Sequence, residues 1–164
     1  MLTSRVQSEI DHHGQHYLLK IDEGESVYDG LRSRFDSRAI QFCSLVFLPA
    51  TVRTVSYHTA SPDTSGRTIV CYGPAIAIEN GLLLSANAVF GQNQNGQALI
   101  HCHGCIVDSN ARIYGGHLDL QRTIAGASGV QALVTATRLT GFRSQLDKTA
   151  NLFVFQPVRL TEKR

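Results

Sequence analysis

The sequence has little net charge, no dense cysteine pattern and no apolar run of membrane-spanning length, and each shortage removes a class of protein. A surplus of only +2 on 164 residues lacks the concentrated positive field that by itself marks a nucleic-acid binder. The four cysteines, at 43, 71, 102 and 105, lack the close spacing of a secreted disulfide scaffold and fit reduced thiols in a cytoplasm. No stretch is long and apolar enough to cross a bilayer, and the opening MLTSRVQSEIDHHGQH has no apolar core of signal-peptide length. The expectation is a cytoplasmic protein with no membrane partner. No HExxH, GxSxG or phosphate-cradling glycine loop names a reaction, and no fixed-period repeat is visible. What remains is a chain long enough to bury about two-thirds of its unfolded surface in one domain without staples.

Chemistry concentrates in one stretch, Ala98 to Leu118, ALIHCHGCIVDSNARIYGGHL. His101 and His103 are two apart, so on a β-strand both imidazoles take one face and Cys102 takes the other. Leu99, Ile100, Ile106 and Val107 suit a strand, and Asp108-Ser109-Asn110 is a turn cluster that ends it. A returning strand through Arg112, Ile113 and Tyr114 leads into Gly115-Gly116-His117. A hairpin folded about Ser109 sets His101 opposite His117 within a residue of register, where opposed Cβ atoms are about 4.5 to 5.5 Å apart. Three imidazoles then converge on one point, and the two glycines allow a bulge or close backbone approach that re-aims His117.

His101, His103 and His117 therefore outline a divalent metal site, three protein donors with one open position being the arrangement of catalytic zinc. Nickel, copper and iron also accept imidazole, and the competing reading is three ordinary hydrogen-bonded hairpin histidines. Cys105 falls on the same face of a regular strand and is a candidate fourth ligand. The CxxC of Cys102 and Cys105 sends its sulfurs to opposite faces and precedes no helix, so it lacks the setting of a thioredoxin-like pair. A second group, His12, His13 and His16, is interrupted by Gly14 and reads as solvated imidazoles.

Elsewhere the pattern is one helix among strands. Tyr17 to Ile21 is a strand, and Ser26 can cap a helix whose buried stripe is Val27, Leu31 and Phe35. Ile40 to Leu48 is a nearly continuous apolar run and predicts a central strand buried on both faces. Val52 to Tyr57 is the next strand, and His58 to Gly66 is an exposed loop by composition. Asn80-Gly81 between apolar flanks predicts a tight type I′ hairpin, with the strand after it running to Phe90. Thr123 to Gly129 reads as a flexible loop, Val130 to Leu139 as a strand, Arg143 to Thr149 as polar and mixed in charge, and Leu152 to Phe155 as a last strand before Pro157.

The HxH at 101–103, followed about a dozen residues later by Gly115-Gly116-His117-Leu118, resembles the PPC domain, the plants-and-prokaryotes-conserved domain. Plant AT-hook nuclear proteins share that domain with small stand-alone bacterial and archaeal proteins. The opening strand His16-Tyr17-Leu18-Leu19-Lys20-Ile21 and the following Gly24-Glu25-Ser26 extend the resemblance over nearly the whole chain. It implies a PPC-like domain over 16–158, between a polar tail at 1–15 and a C-terminal tail at 159–164. The implied fold is α/β (α+β), a compact single domain with a largely antiparallel mixed sheet and one principal helix, assembling as a homotrimer. The implied ligands of a divalent metal, often zinc, are His101, His103 and His117. Two departures set the chain apart from the plant proteins. The AT-hook core Arg-Gly-Arg-Pro has no counterpart beyond Ser65-Gly66-Arg67-Thr68, and Gly81-Leu82-Leu83-Leu84-Ser85 stands where the plant domain has Gly-Arg-Phe-Glu-Ile-Leu.

Three functions follow as expectations. The first is a DNA-binding or regulatory protein of PPC type carrying the three-histidine metal site, with Arg32, Arg34 and Arg38 as the one loose basic group. The alternative is a metal-dependent enzyme, a hydrolase or lyase acting on a small polar molecule, with Glu25, Glu79, Asp108 or Asp119 as general base. In a third, the metal only clamps an assembly.

Overall fold

The computed structural model describes residues 7–161. Strand β1, Gln15–Ile21, leads into helix α1, Val27–Asp36. Ser26 caps the helix, its Oγ accepting from the Asp29 N–H at 3.3 Å, as its position before the apolar stripe predicts. Val27, Leu31 and Phe35 are buried, and the Phe35 ring lies 4.8 Å from that of Phe90, so the helix stripe meets the sheet through aromatic packing. The remaining elements are β2 (Cys43–Phe47), β3 (Ala50–His58), β4 (Ala60–Pro62), β5 (Val70–Tyr72), β6 (Ile76–Gln92), β7 (Ala98–Val107), β8 (Ile113–Ala125), β9 (Val130–Ala136), β10 (Thr140–Asp147) and β11 (Leu152–Arg159).

The main sheet runs β1-β9-β2-β6-β3-β8-β7, and β6 also pairs with β7. Strands β6, β3, β8 and β7 thus close on themselves, while β2, β9 and β1 extend the sheet as a wing. Pairing is antiparallel throughout, apart from a parallel bridge between Arg143 of β10 and Gln92 of β6. The mostly antiparallel α+β architecture expected from the sequence is the one found.

Several local expectations are corrected. The run at 40–48 is central, but β2 alternates buried and exposed residues, and Val46 is 47% exposed. Antiparallel neighbours on both sides leave its outer face uncovered, unlike a strand sandwiched between helices. Asn80 does take a left-handed φ of 51°, yet the chain continues as one 17-residue strand, β6. Both flanks of Asn80 pair with β3, from Tyr57↔Ile76 to Ala50↔Leu83, so long-range pairing overrides the local turn signal. The loop after His58 contains the β4–β5 ribbon, and Thr123–Ala125 continue β8. Residues 143–147 belong to β10, and β11 runs through Pro157. Proline is tolerated there because β11 pairs on one side only, as an edge strand.

One cross-strand row on the outer face joins the wing to the closed strands. Leu18 opposes Leu133, Leu133 opposes Val46, Val46 opposes Asn87, Asn87 opposes His103, His103 opposes His117, and His117 opposes His58. The row begins with three exposed apolar side chains, Leu18, Leu133 and Val46, and ends in imidazoles.

Gly91 fixes the place where β10 crosses β6. A Cβ there would lie 2.1 Å from the Phe142 carbonyl oxygen, and that backbone cannot withdraw without parting the strands. Gly91→Ala is expected to destabilise the fold by about 1–3 kcal/mol, read as a lower midpoint in urea, while Gly96→Ala, in an open turn with nothing near, should cost only the strain of its positive φ.

Candidate metal centre

Residues 103–107 and 113–117 form the antiparallel hairpin that the sequence predicts, with Asp108 holding the turn. The Asp108 N–H donates to the Arg112 carbonyl at 3.0 Å, and its carboxylate accepts from the N–H groups of Asn110 and Arg112, both at 2.9 Å. Because Val107 pairs with Ile113, the turn centres on Asn110 and not Ser109. The register is thereby shifted, and His103, not His101, stands directly opposite His117. Strand alternation places His101 and His103 on the outer face and buries Cys102 behind them.

The two strands bring the three imidazoles together. Their ring centroids are 4.8 Å apart for His101 and His103, 4.8 Å for His101 and His117, and 5.4 Å for His103 and His117. One ligand nitrogen from each lies within 4.8 Å of the others, so the group can hold a metal ion. Nε2 of His101 faces Nε2 of His103 at 3.1 Å, near the roughly 3.3 Å that separates two nitrogens on a tetrahedral zinc with bonds of about 2.0–2.1 Å. Nδ1 of His117 is buried without a hydrogen-bond partner, a deficit of about 1–3 kcal/mol that a coordinated cation would relieve. The donor set and the orphaned nitrogen both fit a divalent ion.

The surroundings of His101 and His117 favour the neutral imidazole. Loss of water around the His101 ring, whose edge stays accessible, and then the proximity of His117 and His103, push its pKa down to about 4. Burial, followed by His103 and His58, lowers that of His117 as well, against the smaller opposing influence of Asp119. Neutral imidazole is the form that binds metal.

Close packing aims His117. A Cβ on Gly116 would fall 2.3 Å from the His58 carbonyl oxygen, so the glycine lets β3 approach β8 beside the cluster, as the Gly-Gly pair suggests. His58 went unnoticed in the sequence because it ends an unremarkable strand and its partner lies far along the chain. Its Nδ1 sits 2.9 Å from the Gly73 carbonyl, which can only accept, so Nδ1 carries the proton and Nε2 is left as an acceptor. Tyr72 on the β4–β5 ribbon places its ring 5.6 Å from that of His117. A cavity of about 310 Å³ adjoins the cluster, lined in part by Tyr28, His58, His117, Asp119 and Gln121.

The other candidates separate clearly. Cys105 is exposed and stands outside the three-histidine group, as do His12, His13 and His16. Of the acids named as general bases, Asp119 alone lines this cavity. Glu25 is held by the Asp22 N–H and by Arg34, Glu79 accepts from the Thr54 hydroxyl, and Asp108 is spent on its turn and on Tyr114. The basic group on the helix is largely neutralised. Arg34 pairs with Asp22 and Glu25 at 2.9 and 3.0 Å, and Arg32 pairs with Asp36 at 2.9 Å.

No protein-family model matches the sequence, and no curated protein matches it. Solved structures do match. A plant- and prokaryote-conserved (PPC) protein of Pyrococcus horikoshii superposes with a TM-score of 0.72 at 14% identity, over 94% of this chain and all 100% of the other. A metal-containing protein of Archaeoglobus fulgidus gives 0.70 at 14% identity over 92% and 99% of the two chains. A presumed DNA-binding protein of Ralstonia eutropha gives 0.65 at 16% identity over 85% and 90%. At these identities the likeness is one of fold, and the PPC fold implied by the sequence motifs is the fold present. No helix among the described residues is long and apolar enough to cross a membrane.

The depressed imidazoles have a consequence for stability without metal. Between the ordinary histidine value of 6.5 and the folded value of about 4 for His101, the unfolded chain binds more protons than the folded one. Stability therefore rises with pH across that window and is lost as pH falls through it. Urea midpoints of metal-free protein should drop from pH 7.5 to pH 5.5, and His101→Gln should shrink the drop. An equal drop in both proteins would contradict the assignment.

Proposed function

We propose that this chain is a PPC-type DNA-binding or regulatory protein, its domain spanning 16–158 between tails at 1–15 and 159–164, with one divalent metal ion, zinc before other metals, on His101, His103 and His117. The observation that carries the reading is the fold it shares with PPC and presumed DNA-binding proteins, joined to a three-imidazole cluster on the hairpin that bears the motif. The exposed row Leu18, Leu133 and Val46 supports assembly as a homotrimer, since apolar side chains aligned across three strands gain by being covered. A cytoplasmic location is part of the same proposal.

A second reading, a metal-dependent hydrolase or lyase, is favoured by the cavity beside His117. A divalent ion there would supply Lewis acidity. The chain's own residues would do the remainder: His58 offers an oriented acceptor at Nε2, and Asp119, Gln121 and Tyr28 offer polar contacts to a small polar molecule.

Two measurements test these readings. Elemental analysis of protein purified without a nickel column should find one divalent ion per chain, and His103→Ala should abolish it while leaving the far-ultraviolet circular dichroism intact. Undiminished metal in the variant would show the ligands to be wrong. Mobility-shift titrations on random and AT-rich duplexes should show affinity falling with salt, with a log-log slope of about 0.9 per phosphate neutralised. Absence of binding at low salt, with turnover or tight retention of a small molecule at the metal, would favour the enzyme.

A further inference from the structure

Away from the histidines, a second feature of the molecule is built from positive charge. Arg138, Arg143 and Arg159 border one cleft of about 600 Å³, together with the amides of Gln41 and Gln92. They come from three pieces of backbone that are held rigidly together. Arg159 follows from the pairing of β11, where it opposes Thr140, and Arg143 sits at the bridge from β10 to Gln92 of β6. Arg138 lies in the turn before β10, which is tied to the sheet by the Thr137 N–H donating to the Phe42 carbonyl at 3.0 Å.

Among the described residues, no carboxylate is ion-paired with any of the three, and the Arg138 and Arg143 guanidiniums donate no hydrogen bond. The helix arginines stand in contrast, since Arg32 and Arg34 both have acidic partners. Like charges brought to one cleft on fixed backbone repel one another unless an anion joins them. The adjoining backbone already displays this preference. One oxygen of Asp11, Oδ2, accepts from the N–H groups of Arg138, Leu139 and Thr140 at 2.8, 2.6 and 3.0 Å, so successive N–H groups of the turn form an anion-holding concavity. With that concavity filled by Asp11, the guanidiniums of Arg138 and Arg143 remain as free donors among the described residues, while Arg159 spends one N–H on the Ile10 carbonyl at 3.1 Å and keeps the others. Planar guanidinium forks match phosphate oxygens in geometry and charge.

We infer that the cleft between Arg138, Arg143 and Arg159 is a binding site for a phosphate group, carried by a free or nucleotide phosphate or by the backbone of DNA. The site goes beyond the DNA-binding reading, because phosphate recognition there stands whether or not DNA is the carrier. It also places any DNA contact on the β10–β11 ribbon and the turn before it, away from the helix.

The test uses the full chain and the double variant Arg138→Gln/Arg143→Gln, which removes two guanidiniums that support nothing else in the fold. Lys20→Gln/Arg112→Gln, outside the cleft, makes the same change in net charge. Inorganic phosphate and AMP are titrated by calorimetry, and a labelled short duplex by anisotropy at several salt concentrations. The cleft variant is expected to lose about tenfold in phosphate and AMP affinity while the control does not. Loss of duplex affinity with a shallower salt slope, by about one for each phosphate contact removed, identifies DNA as the carrier. Arginine-dependent phosphate or AMP binding with no duplex binding supports the site and counts against the DNA reading. Duplex binding unchanged in the cleft variant, with phosphate binding equal to the control, overturns the site and leaves the DNA reading standing. No binding of any probe overturns both.

Discussion

The pairing of β6 is the constraint on which the rest of the molecule depends. Its first half hydrogen-bonds with β3, its second half lies between β2 and β7, and its end meets β10 at Gln92. Such a strand cannot slip by one residue, because a slip would turn Leu83, Ala86, Ala88 and Phe90 out of the core and expose their apolar surface at roughly 25 cal/mol per Å². With β6 fixed, β7 is fixed, since Asn87 must face His103 and Ala88 must face Cys102. The outward aim of His101 and His103 is thus set by apolar burial on the opposite side of the same strands.

Legibility in the sequence followed the range of the interactions. The helix could be read because its cap and its stripe, Ser26 with Val27, Leu31 and Phe35, are local. The shared face of His101 and His103 was equally plain, because alternation is a property of one strand. The turn centre was displaced from Ser109 to Asn110 because the Asp108 carboxylate organises the loop through the N–H groups of Asn110 and Arg112, a choice that composition does not reveal. At Asn80 the local preference for positive φ was read correctly, yet its consequence was not, since the strands on both sides of it had a distant partner in β3. His58 joined the site by the same long-range route, through its pairing with His117. Strand β10 was missed because several of its side chains face solvent, so its polar residues imitate a loop.

Charge shows the same separation between sequence and fold. Arg32, Arg34 and Arg38 are close in sequence and drew attention as a group, but Asp22, Glu25 and Asp36 stand beside two of them. Exposed pairs of this kind contribute little to stability, yet they cancel the field that a phosphate would feel. Arg138, Arg143 and Arg159 are spread over 22 positions of the chain and are assembled by the β10–β11 pairing, the bridge from β10 to Gln92 and the turn held to Phe42. The net charge of +2 is therefore a poor guide to local potential, because pairing removes charge in one place and leaves it in another.

The two faces of the sheet divide stability from chemistry. Behind the hairpin, Cys102, Ile106 and Leu118 are buried in the core, and burial pushes the Cys102 thiol up to about 12, so this cysteine is an inert apolar filler at neutral pH. In front, loss of water and then the neighbouring imidazoles hold His101 and His117 below the usual histidine range, and His101 and His103 stand exposed outside the core. Removing the exposed His103 therefore withdraws a donor without opening a cavity, whereas shortening Ile106 withdraws packing without touching a donor. That separation lets the outer face vary in ligand and partner while the inner face keeps the register, and the same row of cross-strand neighbours carries apolar contact at one end and imidazole at the other.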